Sequence, residues 1–201
     1  MASLYKSSFI AMTNLSSCSW IVLCYAILTQ GCAISSNPSP EELALLDNPP
    51  EKVRQKQEML TPLTLEWFAQ IEKKYLAKGR QLTTEELSIA KVAGITHPDR
   101  VRVVVLKNFP FPKNKTLLME TREYGLGSSA EGGRSVGYVV MLKAQHKDER
   151  WILARELTHV AQQERMGRTA YVRRFIVEHE LMGRNRAPLV LDANKVALEF
   201  Q

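Results

Sequence analysis

The chain has 201 residues, 45% of them hydrophobic, which suits one globular domain with a sizeable core and excludes a disordered or repeat architecture. Its formal charge is +6, yet no nucleic-acid module, stacking aromatic pattern or long Lys/Arg tract accompanies the excess, so it reads as a solvated basic face with no nucleic-acid partner. All three cysteines, Cys18, Cys24 and Cys32, lie near the N-terminus, so the remainder has no disulfide framework and no cysteine metal site.

Residues 1–32 read as a signal peptide. "WIVLCYAIL" (Trp20 to Leu28) is a short apolar run followed by the small-residue stretch "TQGCAISS", and it is shorter than the ~20 residues a bilayer span needs. The expectation is export, to the periplasm or the envelope. Two cleavage readings stay open: Gly31-Cys32 resembles the end of a lipobox, which would leave Cys32 as a lipidated membrane anchor, and Gly31-x-Ala33 resembles an ordinary signal-peptidase site.

Residues 33–50, rich in Ser, Pro and Asn, read as a flexible tether, and residues 51–201 as the folded domain. "LTLEWFAQIEKKYLAKG" (63–79) carries apolar residues at helical spacing and closes on Gly79. A second helix starts at Thr84, with Glu85 and Glu86 in its first turn and Gly94 at its end. The middle changes character: "RVRVVVL" (100–106), "TLLMET" (116–121) and "SVGYVVML" (135–142) read as strands. Between the last two, "GLGSSAEGG" superficially resembles a phosphate-binding loop but lacks the Lys-Ser/Thr and the strand-to-helix context, and reads as a connection. Three helical stretches close the chain, ending at Gly167, at Gly183 and beyond Pro188. The expected class is α+β: N-terminal helices, a small mainly antiparallel sheet, then helices.

Chemistry concentrates in "ARELTHVAQQERMG". In H-E-x-x-H the two histidines stand one helical turn apart and hold a zinc ion, while the glutamate acts as general base on the metal-bound water. Here Glu156 and His159 occupy the last two functional positions, and Arg155 stands where the first histidine belongs. A guanidinium stays protonated and offers a metal no lone pair. Any zinc would have to be held by His, Asp or Glu elsewhere.

"GYVVML", then "DERWILARELTHVAQQERMG", "FIVEHELMG" and "APLVLDA" resemble a family of small bacterial zincin-like proteins carrying H-E-L-x-H-V-x-Q-Y-E-R-x-G and a later P-L-E-x-E-A. The resemblance spans roughly residues 100–195. It implies a zincin-like fold with Glu156 as catalytic base, His159 as a metal ligand and Arg155 as the departure from the pattern. Val190 and Asp192 stand at the two glutamates of the later motif, and Asp192 is the candidate third metal ligand. The resemblance also implies that "GYVVML" is the sheet edge along which an extended peptide aligns. His146 and His179, with Glu180, are weaker substitutes for the missing ligand and read as surface or capping residues, and His97 as uninvolved.

Three functions follow as expectations. The first is an exported pseudoenzyme that binds a peptide or protein ligand in the old cleft, with Arg155 replacing the positive charge of the metal and pairing with Glu156, Asp192 or a ligand carboxylate. The second is a zinc-dependent metallopeptidase with a non-standard ligand set, zinc being its cofactor if the site functions. The third is an envelope structural or adaptor protein.

Overall fold

The computed structural model describes residues 37–201. The apolar leader, the three cysteines and Cys32 lipidation lie outside the described residues. Among those described, no helix is long and apolar enough to cross a membrane.

The segment expected to be a tether is partly structured. Ser39 and Glu42 form a capping box that starts α1 (Pro40–Ala44). Arg186 donates to both Glu42 carboxylate oxygens, and Leu46 is buried against Val177 and Met182. Local composition predicted flexibility, and the apolar Leu46 overrides it by docking.

Helix α2 (Glu51–Tyr75) begins twelve residues before the expected start, running through Pro62. Proline removes one backbone donor there. Thr61 and Thr64 hydroxyls donate to the Gln57 and Leu60 carbonyls on either side, and the full burial of Leu60 holds the first half of the helix in place. Helix α3 (Thr84–Ala93) starts and ends where expected; the structure adds a Thr83/Glu86 capping box that opens it, and Gly94 closes it with φ +81°.

The sheet has three strands, β1 (Arg102–Leu106), β2 (Gly133–Val136) and β3 (Val139–Lys143), in the order β1-β3-β2. β1 pairs with β3 in parallel and β2 pairs with β3 antiparallel. The sheet is therefore mixed, not mainly antiparallel. "SVGYVVML" is a hairpin in place of one strand, turning at Gly137 with φ +55°, where a Cβ would collide with the Glu72 carboxylate. "TLLMET" is not a strand at all but part of α4 (Lys115–Glu123), capped by the Asn114 side chain accepting from the Leu117 N–H. Leu117 and Thr121 are buried four residues apart while Met119 is exposed, a helical spacing that six residues are too few to announce.

β3 lies at the centre, buried from Val139 to Leu142, and its two faces feed different layers. Val140 and Leu142 pack with Val103 against α3 and α5 (Arg150–Met166), whereas Val139 and Met141 pack against α2 and α6 (Arg168–Met182). The last helix, α7 (Pro188–Ala197), packs on α5. Glu178 joins these pieces: it is fully buried, accepts from the Leu189 N–H at 2.8 Å and from Arg174 Nε at 2.6 Å, and so caps the first turn of α7. The molecule is α+β, with the sheet between two helical layers.

Candidate functional site

Helix α5 is buried on most of its circumference, so its polar residues must find partners inside the protein. Ile152, Leu153, Leu157 and Val160 fill the core against the sheet, and Arg155, Glu156 and His159 face a cavity of about 400 Å³. α2, α4 and α6 supply its apolar walls, and β2 supplies its rim. α5 reaches β2 closely because residue 133 is glycine; a Cβ there would stand 2.7 Å from Glu156 Cγ and 2.8 Å from Ile152 Cγ2.

The register corrects the expected role of "GYVVML". β3 is the central strand, flanked by β1 and β2, and offers no free edge. β2 is the strand with an open edge beside Glu156. Lys143 donates to the Gly132 carbonyl, which makes 134/141 and 136/139 the bonded pairs, so the Gly133 and Ser135 backbone groups point away from β3.

Arg155 and Glu156 form one unit. Arg155 Nε and Nη2 donate to Glu156 Oε1 at 3.1 and 3.0 Å, with the side chains 13% and 5% exposed. The Arg155 guanidinium also lies 5.7 Å from the centre of the Trp151 ring. The carboxylate expected to activate a metal-bound water is instead occupied by the neighbouring cation.

His159 is held by Gln162, a fully buried residue. The Gln162 amide nitrogen donates to the Leu189 carbonyl at 3.0 Å and to Asp192 Oδ2 at 2.8 Å, so its oxygen faces His159 Nδ1 at 2.8 Å. That network requires Nδ1 to carry the proton and leaves Nε2 with its lone pair. Burial holds this imidazole below its ordinary pKa, against the opposing pull of Glu156. The same network accounts for Asp192. It is exposed, accepts from Gln162, and is absent from the cavity wall; the α7 residues that line the cavity are Val190 and Asn194. Asp192 therefore does not stand with Glu156 and His159 as the expected third ligand.

The other histidines also sort themselves. His146 pairs with Glu149 at 2.6 Å ahead of α5, outside the cavity lining. The His97 backbone N–H donates to Glu164. His179, expected at the surface, is buried in the cavity wall, stacked on Phe175 with ring centres 3.8 Å apart, and its Nδ1 meets the Phe175 carbonyl at 2.9 Å. Glu180, its neighbour, instead accepts from Tyr124 and Lys56.

Burial pushes His179 down from 6.5 to about 4, so it is neutral at pH 7. Between those two values the unfolded chain binds a proton that the folded chain excludes, and stability rises with pH. The His179 contribution to stability is accordingly expected to fall by roughly 3 kcal/mol as pH drops from 6.5 to 4, and to change no further below. Urea unfolding across that range would show it, with His159 acting in the same direction, and His179→Gln should flatten the slope.

Sequence reasoning also passed over Arg134, Trp67, Tyr171 and Arg184, which line the cavity. Arg134 makes a doubly bonded pair with Glu131, so "GLGSSAEGG" is organised around a buried ion pair. Glu131 Oε2 also accepts from the Gly127 N–H. No short motif announces any of these residues; they come from four separate elements.

The donors on hand do not fit zinc. Among the described residues no three His, Cys, Asp or Glu side chains gather as a metal cage, Glu156 is engaged by Arg155, and that fixed cation stands where the resemblance would expect the first ligand. Comparison of the chain with protein-family models, with curated proteins and with solved structures gave no match.

Proposed function

We propose that this chain is an exported, non-catalytic zincin-like protein that binds a peptide or protein ligand in the cleft between α5 and β2. The observation that carries the reading is the Arg155–Glu156 pair: the cation stands where the motif expects a metal ligand and spends two hydrogen bonds on the would-be base. The resemblance of "ELTHVAQQERMG" to the zincin helix supports the fold-level part. The outward backbone groups of Gly133 and Ser135 suit an extended ligand strand, in which main-chain hydrogen bonds give affinity.

The test is elemental analysis of the purified protein together with peptide hydrolysis in the presence and absence of added zinc. The expected result is sub-stoichiometric zinc and no chelator-sensitive cleavage. One zinc per chain, with cleavage abolished by Glu156→Gln, would overturn the proposal in favour of a metallopeptidase.

A further inference from the structure

Three arginines line the cavity, and their charges are not equally balanced. Arg134 is bound to Glu131, and Arg155 to Glu156. Arg184 has no carboxylate within ion-pairing distance among the described residues; its Nη1 donates to the Gly125 carbonyl at 3.2 Å, leaving its other N–H groups for something else. Its charge acts inward, since it disfavours protonation of both His159 and His179. With both imidazoles neutral at pH 7, the cavity presents one uncompensated positive charge.

A second observation is independent of the first. The Trp67 side chain lines the same cavity, the residue is only 5% exposed, and its Nε1–H has no hydrogen-bond partner. The nitrogen itself has no accessible surface, so Trp67 offers the cavity apolar ring surface and not a donor. The rest of the enclosure is apolar: Leu60 and Phe68 from α2, Leu117 from α4, Val172 and Ile176 from α6. A volume of about 400 Å³ lies in the range of small-molecule sites.

Resting on the binding-protein reading of this cleft, we infer that the cavity receives a single carboxylate borne on a large apolar body, with Arg184 as the carboxylate anchor and the Trp67 ring as part of the apolar wall. One cation suits a monoanion better than a phosphate dianion, which would meet no second charge. Two sources carry this chemistry: a free aliphatic acid, and the C-terminal hydrophobic residue of a peptide.

Calorimetry and tryptophan fluorescence on the purified full chain separate them. One arm titrates octanoate, decanoate and dodecanoate below their micelle concentrations, with dodecanol as the uncharged control. The other titrates an N-acetylated peptide ending in leucine, as free acid and as C-terminal amide. In one arm saturable binding is expected, at least tenfold tighter for the acid than for its uncharged partner. Arg184→Gln should weaken it by a similar factor and Arg184→Lys should restore part of it. If the aliphatic acids are the source, affinity should rise about fourfold per methylene until the cavity is full. Trp67→Phe should remove the fluorescence response.

No saturable binding in either arm, equal binding of acid and uncharged partner, or unchanged affinity in Arg184→Gln would each overturn the inference. These failures are distinct from failure of the non-catalytic reading, which is decided by zinc content and hydrolysis.

Discussion

Arg155→Ala is expected to destabilise the protein by about 3–5 kcal/mol, because it leaves the Glu156 carboxylate buried without its cation. Glu156 is 5% exposed on the side chain and packs on the Gly133 backbone, so it has little room to turn toward water. For a domain of this size that is a fall in Tm of roughly 6–20 °C. Urea unfolding of Arg155→Ala, Glu156→Gln and the double variant makes the measurement, and the double variant should recover most of the loss. An unchanged midpoint in Arg155→Ala would mean that the pair is not structural, and would remove the main support for the metal-free reading of the cleft.

Arg155→His by itself is expected to gain little zinc, whereas Arg155→His combined with Val190→Glu should bind one zinc per chain. The motif resemblance left two positions open for the third ligand. Val190 lines the cavity with Glu156 and His159, and Asp192 is turned away onto Gln162. A glutamate at 190 would then complete two imidazoles and a carboxylate, a set that suits zinc. His159 is prepared for the task, because Gln162 fixes the Nδ1–H tautomer and leaves Nε2 free. Stoichiometric zinc in the single variant would show that Asp192 can swing into the site, and no zinc in the double variant would remove Val190 from the third-ligand position. Elemental analysis after dialysis against a limited zinc buffer separates the three outcomes.

Local chemistry was legible wherever it is carried by neighbours in the chain. Thr84, followed by Glu85 and Glu86, and Gly94 bound α3 where expected, and the placement of Arg155, Glu156 and His159 on one helix follows from their spacing. That Arg155 cannot ligate a metal is equally a property of the sequence, because no fold lets a guanidinium act as a metal ligand. The failures came where a short apolar run has no period of its own. "TLLMET" became a helix because Asn114 caps it and Leu117 and Thr121 bury one face. α2 continued through Pro62 because burial of Leu60 outweighs one missing donor.

Register and cavity were matters for the tertiary structure alone. Whether "GYVVML" is edge or centre depends on which strands flank it, and a sequence pattern reports burial without reporting neighbours. Asp192 could be set apart from Val190 only by the orientation of α7 on α5, fixed by the Gln162 and Glu178 hydrogen bonds to the start of that helix. Arg184, Trp67, His179 and Arg134 meet around one space from four separate elements, and nothing in their local sequence could announce it. The sequence by itself determined the helix, its three polar residues and the inability of Arg155 to bind a metal, since those depend on local spacing and side-chain chemistry; the packing of distant elements decided what those residues face.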